Sequence, residues 1–123
     1  MKNKTFQSSL RNALKGLKKT AFSERNLQIE IFAFALNLVL IALFDLTNIE
    51  IAIVLFACAL VLCMELFNTV IEKIADFIEP NWNAKIGHIK DIAAGAVLLA
   101  SLFALLIGLI IYFPYLRALL FEA

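Results

Sequence analysis

The stretch Glu65-Leu-Phe-Asn-Thr-Val-Ile-Glu-Lys-Ile-Ala-Asp76 decides how this chain folds and where its chemistry lies. On a helix turning about 100° per residue, Glu65, Asn68, Glu72 and Asp76 share one stripe, while Phe67, Val70, Ile74 and Ile78 lie opposite. The stripe grows without a break from the uncharged apolar run Ile51 to Met64. A carboxylate on the end of a membrane span is costly and needs a use or a partner. With a rise of about 1.5 Å per residue and a hydrocarbon core of about 30 Å, a span entering near Ile51 puts Glu65 roughly 21 Å in and Glu72 roughly 32 Å in. Glu65 is thereby placed within the lipid zone and Glu72 at its edge.

The rest of the chain sets the class. It has 123 residues, 63% of them hydrophobic, too many for the polar surface of a soluble domain of this size to cover. Three apolar runs, about 27–46, 49–72 and 92–113, each approach the roughly 20 residues a spanning helix needs. The expectation is one integral-membrane domain over 1–123: an all-α bundle of three spans preceded by an amphipathic interfacial helix over about 4–22. In that first segment Phe6, Leu10, Ala13, Leu14, Leu17 and Ala21 recur at helical spacing, with Arg11, Lys15, Lys18 and Lys19 opposite, as in a helix lying on anionic headgroups. No signal peptide is expected, since residues 1–23 lack an apolar centre. The net charge of +1 gives no reason to expect nucleic acid as a partner.

Smaller signals refine this layout. Ser23 is expected to cap the first span, with Glu24 in its first turn. Gln28, Glu30 and Asn37 point to a face of that span that looks at protein. Pro80 ends the second span, and Trp82 suits the interface. Ala96, Ala100, Ala104 and Gly108 form a small-residue packing face, within or between subunits. Cys58 and Cys63 read as small apolar residues rather than a disulfide or a metal pair. Seven of eleven basic residues precede the first span, three lie between the second and third, and one follows the third. The positive-inside rule therefore puts the N-terminus and the stripe in the cytoplasm and the C-terminus outside, as in a multi-pass protein of the bacterial inner membrane.

Chemistry at the cytoplasmic end is bounded by what is missing and what gathers there. The sequence has no Walker A motif and no G-x-G-x-x-G. Glu24, Glu72 and Asp76 are hard oxygen ligands suited to Mg²⁺, with Lys90 and Asp91 nearby and Glu65 deeper. Phosphoryl transfer needs a metal, a cation for the phosphates and a base at the acceptor hydroxyl, and all three can be supplied. A proton-coupled transporter built on Glu65, or a purely structural membrane subunit, are the rival readings. A transporter would need a polar route to the outer face, where the runs offer little beyond Asn37.

The segments Glu65-Leu-Phe-Asn68-Thr-Val-Ile-Glu72 and Lys90-Asp91-Ile-Ala-Ala-Gly95-Ala-Val-Leu resemble the small integral-membrane prokaryotic diacylglycerol kinases and undecaprenol kinases. The likeness runs over nearly the whole chain. It implies a homotrimeric kinase that moves the γ-phosphoryl of ATP onto the hydroxyl of a membrane lipid. By position, it implies Glu65 as catalytic base, Asn68 as a residue that positions the site, and Glu24 and Glu72 as holders of Mg²⁺ or its nucleotide complex. It likewise implies nucleotide contacts at Asn12, Asn81, Trp82, Asn83, Lys90 and Asp91. Asn12 stands where the diacylglycerol kinases often carry tyrosine, and His88 where arginine or lysine is usual. Ser23-Glu24-Arg25-Asn26 is more like the undecaprenol branch, which leaves the acceptor open between undecaprenol and diacylglycerol.

Overall fold

The computed structural model describes residues 5–121, so residue 4, where the amphipathic segment is expected to begin, lies outside the described residues. Four helices follow in order: α1 (Phe6–Ser23), α2 (Arg25–Leu43), α3 (Asn48–Ile78) and α4 (Ala84–Phe121). The described residues contain no strand. Helices α2, α3 and α4 are each long and apolar enough to cross a membrane.

Local chemistry explains each boundary. Thr47 opens α3 with a reciprocal capping box: its hydroxyl accepts from the Glu50 amide, and the Glu50 carboxylate accepts from the Thr47 amide at 2.8 Å. With no breaker before Pro80, α3 runs on to Ile78. At about 1.5 Å per residue it is about 46 Å long, more than the hydrocarbon thickness, so its polar last turns project beyond the lipid. Asn83 starts α4 by accepting from the amides of Lys85 and Ile86. This is why α3 and α4 extend well past the apolar runs at 49–72 and 92–113. Hydropathy marks the part of a helix that meets lipid, not where the helix ends.

Two expectations are corrected at the start of α2. Ser23 does not cap it: Ser23 closes α1, and its hydroxyl donates to Thr20 O and to Glu24 Oε1. Glu24 holds the cap position instead, yet its side chain makes no cap hydrogen bond. Gln28 does not share a face with Glu30 and Asn37. Its amide donates to the carbonyls of Ala21 and Phe22, the loose carbonyls at the end of α1, because positions 28 and 30 are about 200° apart on a helix.

Helices α3 and α4 run antiparallel, fixed at one end by Lys90 on Asp76 and at the other by Tyr115 on Glu50. The apolar core sits at the Glu50 end. There Val54, Ile111 and Tyr112 are buried against Leu40, Ile41, Phe44, Leu46, Cys58 and Ile107. Tyr112 hydroxyl donates to Asn37 Oδ1 at 3.1 Å, so the ring fills the core while its polar tip is satisfied. Two polar side chains are thereby paired inside a span, where either alone would be costly. The opposite end of the bundle is left for the acidic stripe.

The small-residue face of α4 is used inside the chain, since Ala100 is buried and Ala96, Ala104 and Gly108 are half-buried without any second subunit. Ala100→Leu is expected to force the helices apart, at the roughly 1–3 kcal/mol that overpacking costs. Thermal unfolding in detergent micelles measures it, and an unchanged midpoint would mean that residue 100 faces lipid. Cys58 and Cys63 are both free, the first half-buried and the second exposed.

Candidate active site

Three polar residues of the stripe are buried within the lipid-spanning helix: Glu65 is 4% exposed, Asn68 5% and Thr69 6%. Thr69 returns its hydroxyl proton to the Glu65 carbonyl at 3.0 Å and is satisfied within its own helix. Asn68 donates its amide to Glu72 Oε1 at 3.0 Å, which fixes the carboxylate one turn above it. The Asn68 carbonyl oxygen stays buried with no hydrogen-bond donor among the described residues. An acceptor in that state costs about 1–3 kcal/mol, which a donor or a hard cation supplied by a bound group would offset.

Helix α2 covers this stripe. Leu27 is buried, and Asn26, Glu30 and Glu24 stand close enough to Glu65 to act on its charge, as does Glu72. Four carboxylates thus bear on one region, with Glu30 on the side of Val61 and Cys58. Glu24 reaches it from the α1–α2 junction, where Lys73 donates to its Oε1 at 2.7 Å. The Lys73 ammonium holds the Glu24 carboxyl below the usual carboxylate range, so it stays ionised throughout the neutral pH range. On the other flank, Lys90 pairs with Asp76 at 2.9 Å.

The structure brings together six of the residues singled out in the sequence: Glu24, Glu65, Asn68, Glu72 and, one turn above Glu72, Asp76 with Lys90 on it. It does not gather the others in the same way. Asn12 is exposed in the middle of α1, and Asp91 is exposed on α4. Trp82 is 90% exposed. Asn83 spends its side chain on the cap of α4, and the Asn81 amide donates to Glu79. Asn26 and Lys73 were missed in the sequence. Asn26 precedes Glu30 by four residues and so lies on the same face of α2, a signal that was available. Lys73 gave none, because its partner is 49 positions away.

Beside Glu30 a largely apolar groove of about 470 Å³ opens between α2, α3 and α4 and passes Cys58, Asn37 and Ala104 toward Tyr112. Its Glu30 end lies toward the Glu65 region, and its length runs along the helices.

The family model for prokaryotic diacylglycerol kinase matches residues 11–112. The chain belongs to that family. It is 34% identical over 112 residues to an undecaprenol kinase of Bacillus subtilis (strain 168), covering 91% of this chain and 90% of that one. It is 32% identical over 113 residues to a diacylglycerol kinase of Synechocystis sp. (strain ATCC 27184 / PCC 6803 / Kazusa), covering 91% of this chain and 65% of the relative. Membership of a lipid-kinase family sets aside the transporter and structural-subunit readings. In this diacylglycerol kinase family member, the buried carboxylate, the Asn68–Glu72 pair and the flanking lysines are groups of the kinds that phosphoryl transfer uses.

The donor set fits magnesium. Glu24 and Glu72 each use Oε1 in the hydrogen bonds described, which leaves Oε2 available, and the Asn68 carbonyl is a further hard oxygen nearby. Among the described residues no group of three or more His, Cys, Asp or Glu side chains forms a ready cage. Magnesium suits that arrangement, because it is ordinarily held by one or two carboxylates together with substrate phosphates.

Proposed function

We propose that this lipid kinase transfers the γ-phosphoryl of ATP to the hydroxyl of undecaprenol, with diacylglycerol as the competing acceptor. The observation that carries the reading is a carboxylate buried inside a span, Glu65, directly below an Asn68–Glu72 pair at the membrane edge. A lipid alcohol brings its hydroxyl from within the bilayer, whereas the nucleotide comes from water. Only a site with a base on the lipid side and anionic metal ligands on the aqueous side serves both.

In this reading Glu65 accepts the proton of the lipid hydroxyl as the oxygen bonds to the γ-phosphorus, the bond from that phosphorus to the bridging oxygen breaks, and ADP leaves. Asn68 keeps the Glu72 carboxylate in place. Glu72 and Glu24 hold Mg²⁺, which when bound neutralises charge on the triphosphate. Lys90, Asp91, Asn12 and the turn Asn81-Trp82-Asn83 contact the nucleotide. The groove beside Glu30 provides an apolar lane for the acceptor's hydrocarbon. Assembly as a homotrimer belongs to this reading through the resemblance to membrane lipid kinases, while exposed apolar residues such as Phe56, Phe67 and Leu98 suit contact with lipid. The basic bias supports a cytoplasmic N-terminus and active site in the bacterial inner membrane, with the C-terminus outside.

The test is phosphate incorporation by the purified protein into undecaprenol and diacylglycerol, side by side in the same detergent, with native mass measurement of the assembly. Faster incorporation into undecaprenol is expected. A clear preference for diacylglycerol reverses the acceptor, and no lipid-dependent ATP consumption rejects the reading. The Ser23-Glu24-Arg25-Asn26 segment and the coverage of the undecaprenol kinase along its length support the expected order.

A further inference from the structure

Lys73 follows Glu72 directly in α3, and nothing in the proposed reaction yet employs it. Its Nζ reaches Glu24 Oε1 at 2.7 Å and joins the α1–α2 junction to the stripe. Two features distinguish this pair from a structural staple. The Lys73 side chain is 59% exposed and that of Glu24 30%, and an ion pair so open to water adds little to stability. Glu24 also occupies the cap position of α2 without using its carboxylate to cap the helix, the ordinary local task of an acidic residue there. The carboxylate is turned to the ammonium instead.

The pairing leaves one positive charge on a carboxylate that stands in range of Glu65, as do Glu30 and Glu72. We propose that Lys73 is an exchangeable counter-ion: it neutralises Glu24 in the nucleotide-free chain and passes to the triphosphate when the metal–nucleotide complex occupies Glu24. This rests on the reading of Glu24 as a metal-holding residue. Lysine suits the task because its ammonium is a compact point charge on a flexible stem, able to swing between a carboxylate and a phosphate without a fixed fork geometry. The exchange conserves charge: the divalent cation replaces the ammonium at Glu24, and the displaced ammonium meets the anion that the cation brought. Lys73 is accordingly a nucleotide-binding residue in one state and the occupant of a metal ligand in the other.

The two roles predict opposite changes in one variant. In Lys73→Met, Mn²⁺ alone, followed by electron paramagnetic resonance on the detergent-solubilised protein, is expected to bind several-fold more tightly, because its competitor at Glu24 is gone. ATP binding in the presence of Mn²⁺, measured by calorimetry, is expected to weaken about 10- to 100-fold, the worth of a hydrogen bond to a charged group. Lys73→Arg, which keeps the charge, is expected to restore most of the nucleotide affinity and serves also if the methionine variant does not fold. Parallel loss of both affinities together with a lower unfolding midpoint would make Lys73 a structural staple and overturn the proposal, as would unchanged affinities. Wild-type protein that binds Mn²⁺–ATP and phosphorylates lipid while the variant fails these expectations refutes the role of Lys73 alone. Wild-type protein that does neither refutes the functional reading beneath it.

Discussion

Glu65→Gln is expected to lower turnover by roughly 10²- to 10⁴-fold, the usual worth of a positioned general base, while Mg-ATP still binds. Glutamine keeps the size and shape of the side chain, so the surroundings of residue 65 beside Asn26 and Glu30 of α2 persist and the change isolates loss of the proton acceptor. It also removes one of four mutually repelling carboxylates, which makes global destabilisation an improbable source of lost activity. Glu65 is nearly sealed from water, so no solvent molecule readily replaces the missing base. Turnover and nucleotide affinity measured on the same preparation, with saturating lipid, decide the matter. Near-normal turnover sinks the assignment, and so does loss of nucleotide binding together with activity.

Glu72→Gln should show the reverse order of effects. One turn above Glu65, its carboxylate is held by Asn68 at the membrane edge, where a nucleotide phosphate and its metal can arrive from water. The neutral amide removes a hard anionic ligand, and Asn68 loses a charged acceptor. Mg-ATP affinity is expected to fall by at least the roughly 10- to 100-fold that loss of an outer-shell partner costs a metal site, with kcat falling only as far as the metal is no longer held. Glu24→Gln should move the same affinity in the same direction. Unchanged Mg-ATP affinity in both variants would reject the two residues as metal holders.

Which parts of this protein could be read along the chain follows from the range of the interactions involved. Pro80 stopped α3 and Thr47 with Glu50 started it through contacts within four residues. The stripe from Glu65 to Asp76 is a matter of helical period. The same local reasoning failed at Ser23 and Gln28, where two helices meet and the carbonyls of one compete for the side chains of the next. It was silent on Lys73 with Glu24, on Tyr115 with Glu50 and on Tyr112 with Asn37, pairs separated by 49, 65 and 75 positions.

By itself the sequence determined the three spans, the stripe on the second and the resemblance to membrane lipid kinases, because lipid imposes a length and a composition on any helix that crosses it and helical period assigns faces within a helix. Only the tertiary structure decided that Glu65 is buried beside Asn26 and Glu30 of α2 while Asp76 remains exposed, and that the apolar core lies at the end away from the acidic stripe. Burial and pairing depend on which helix packs over which face. In a bilayer that choice is made by close packing and a few interhelical hydrogen bonds rather than by hydrophobicity, since lipid tails are as apolar as the side chains they touch.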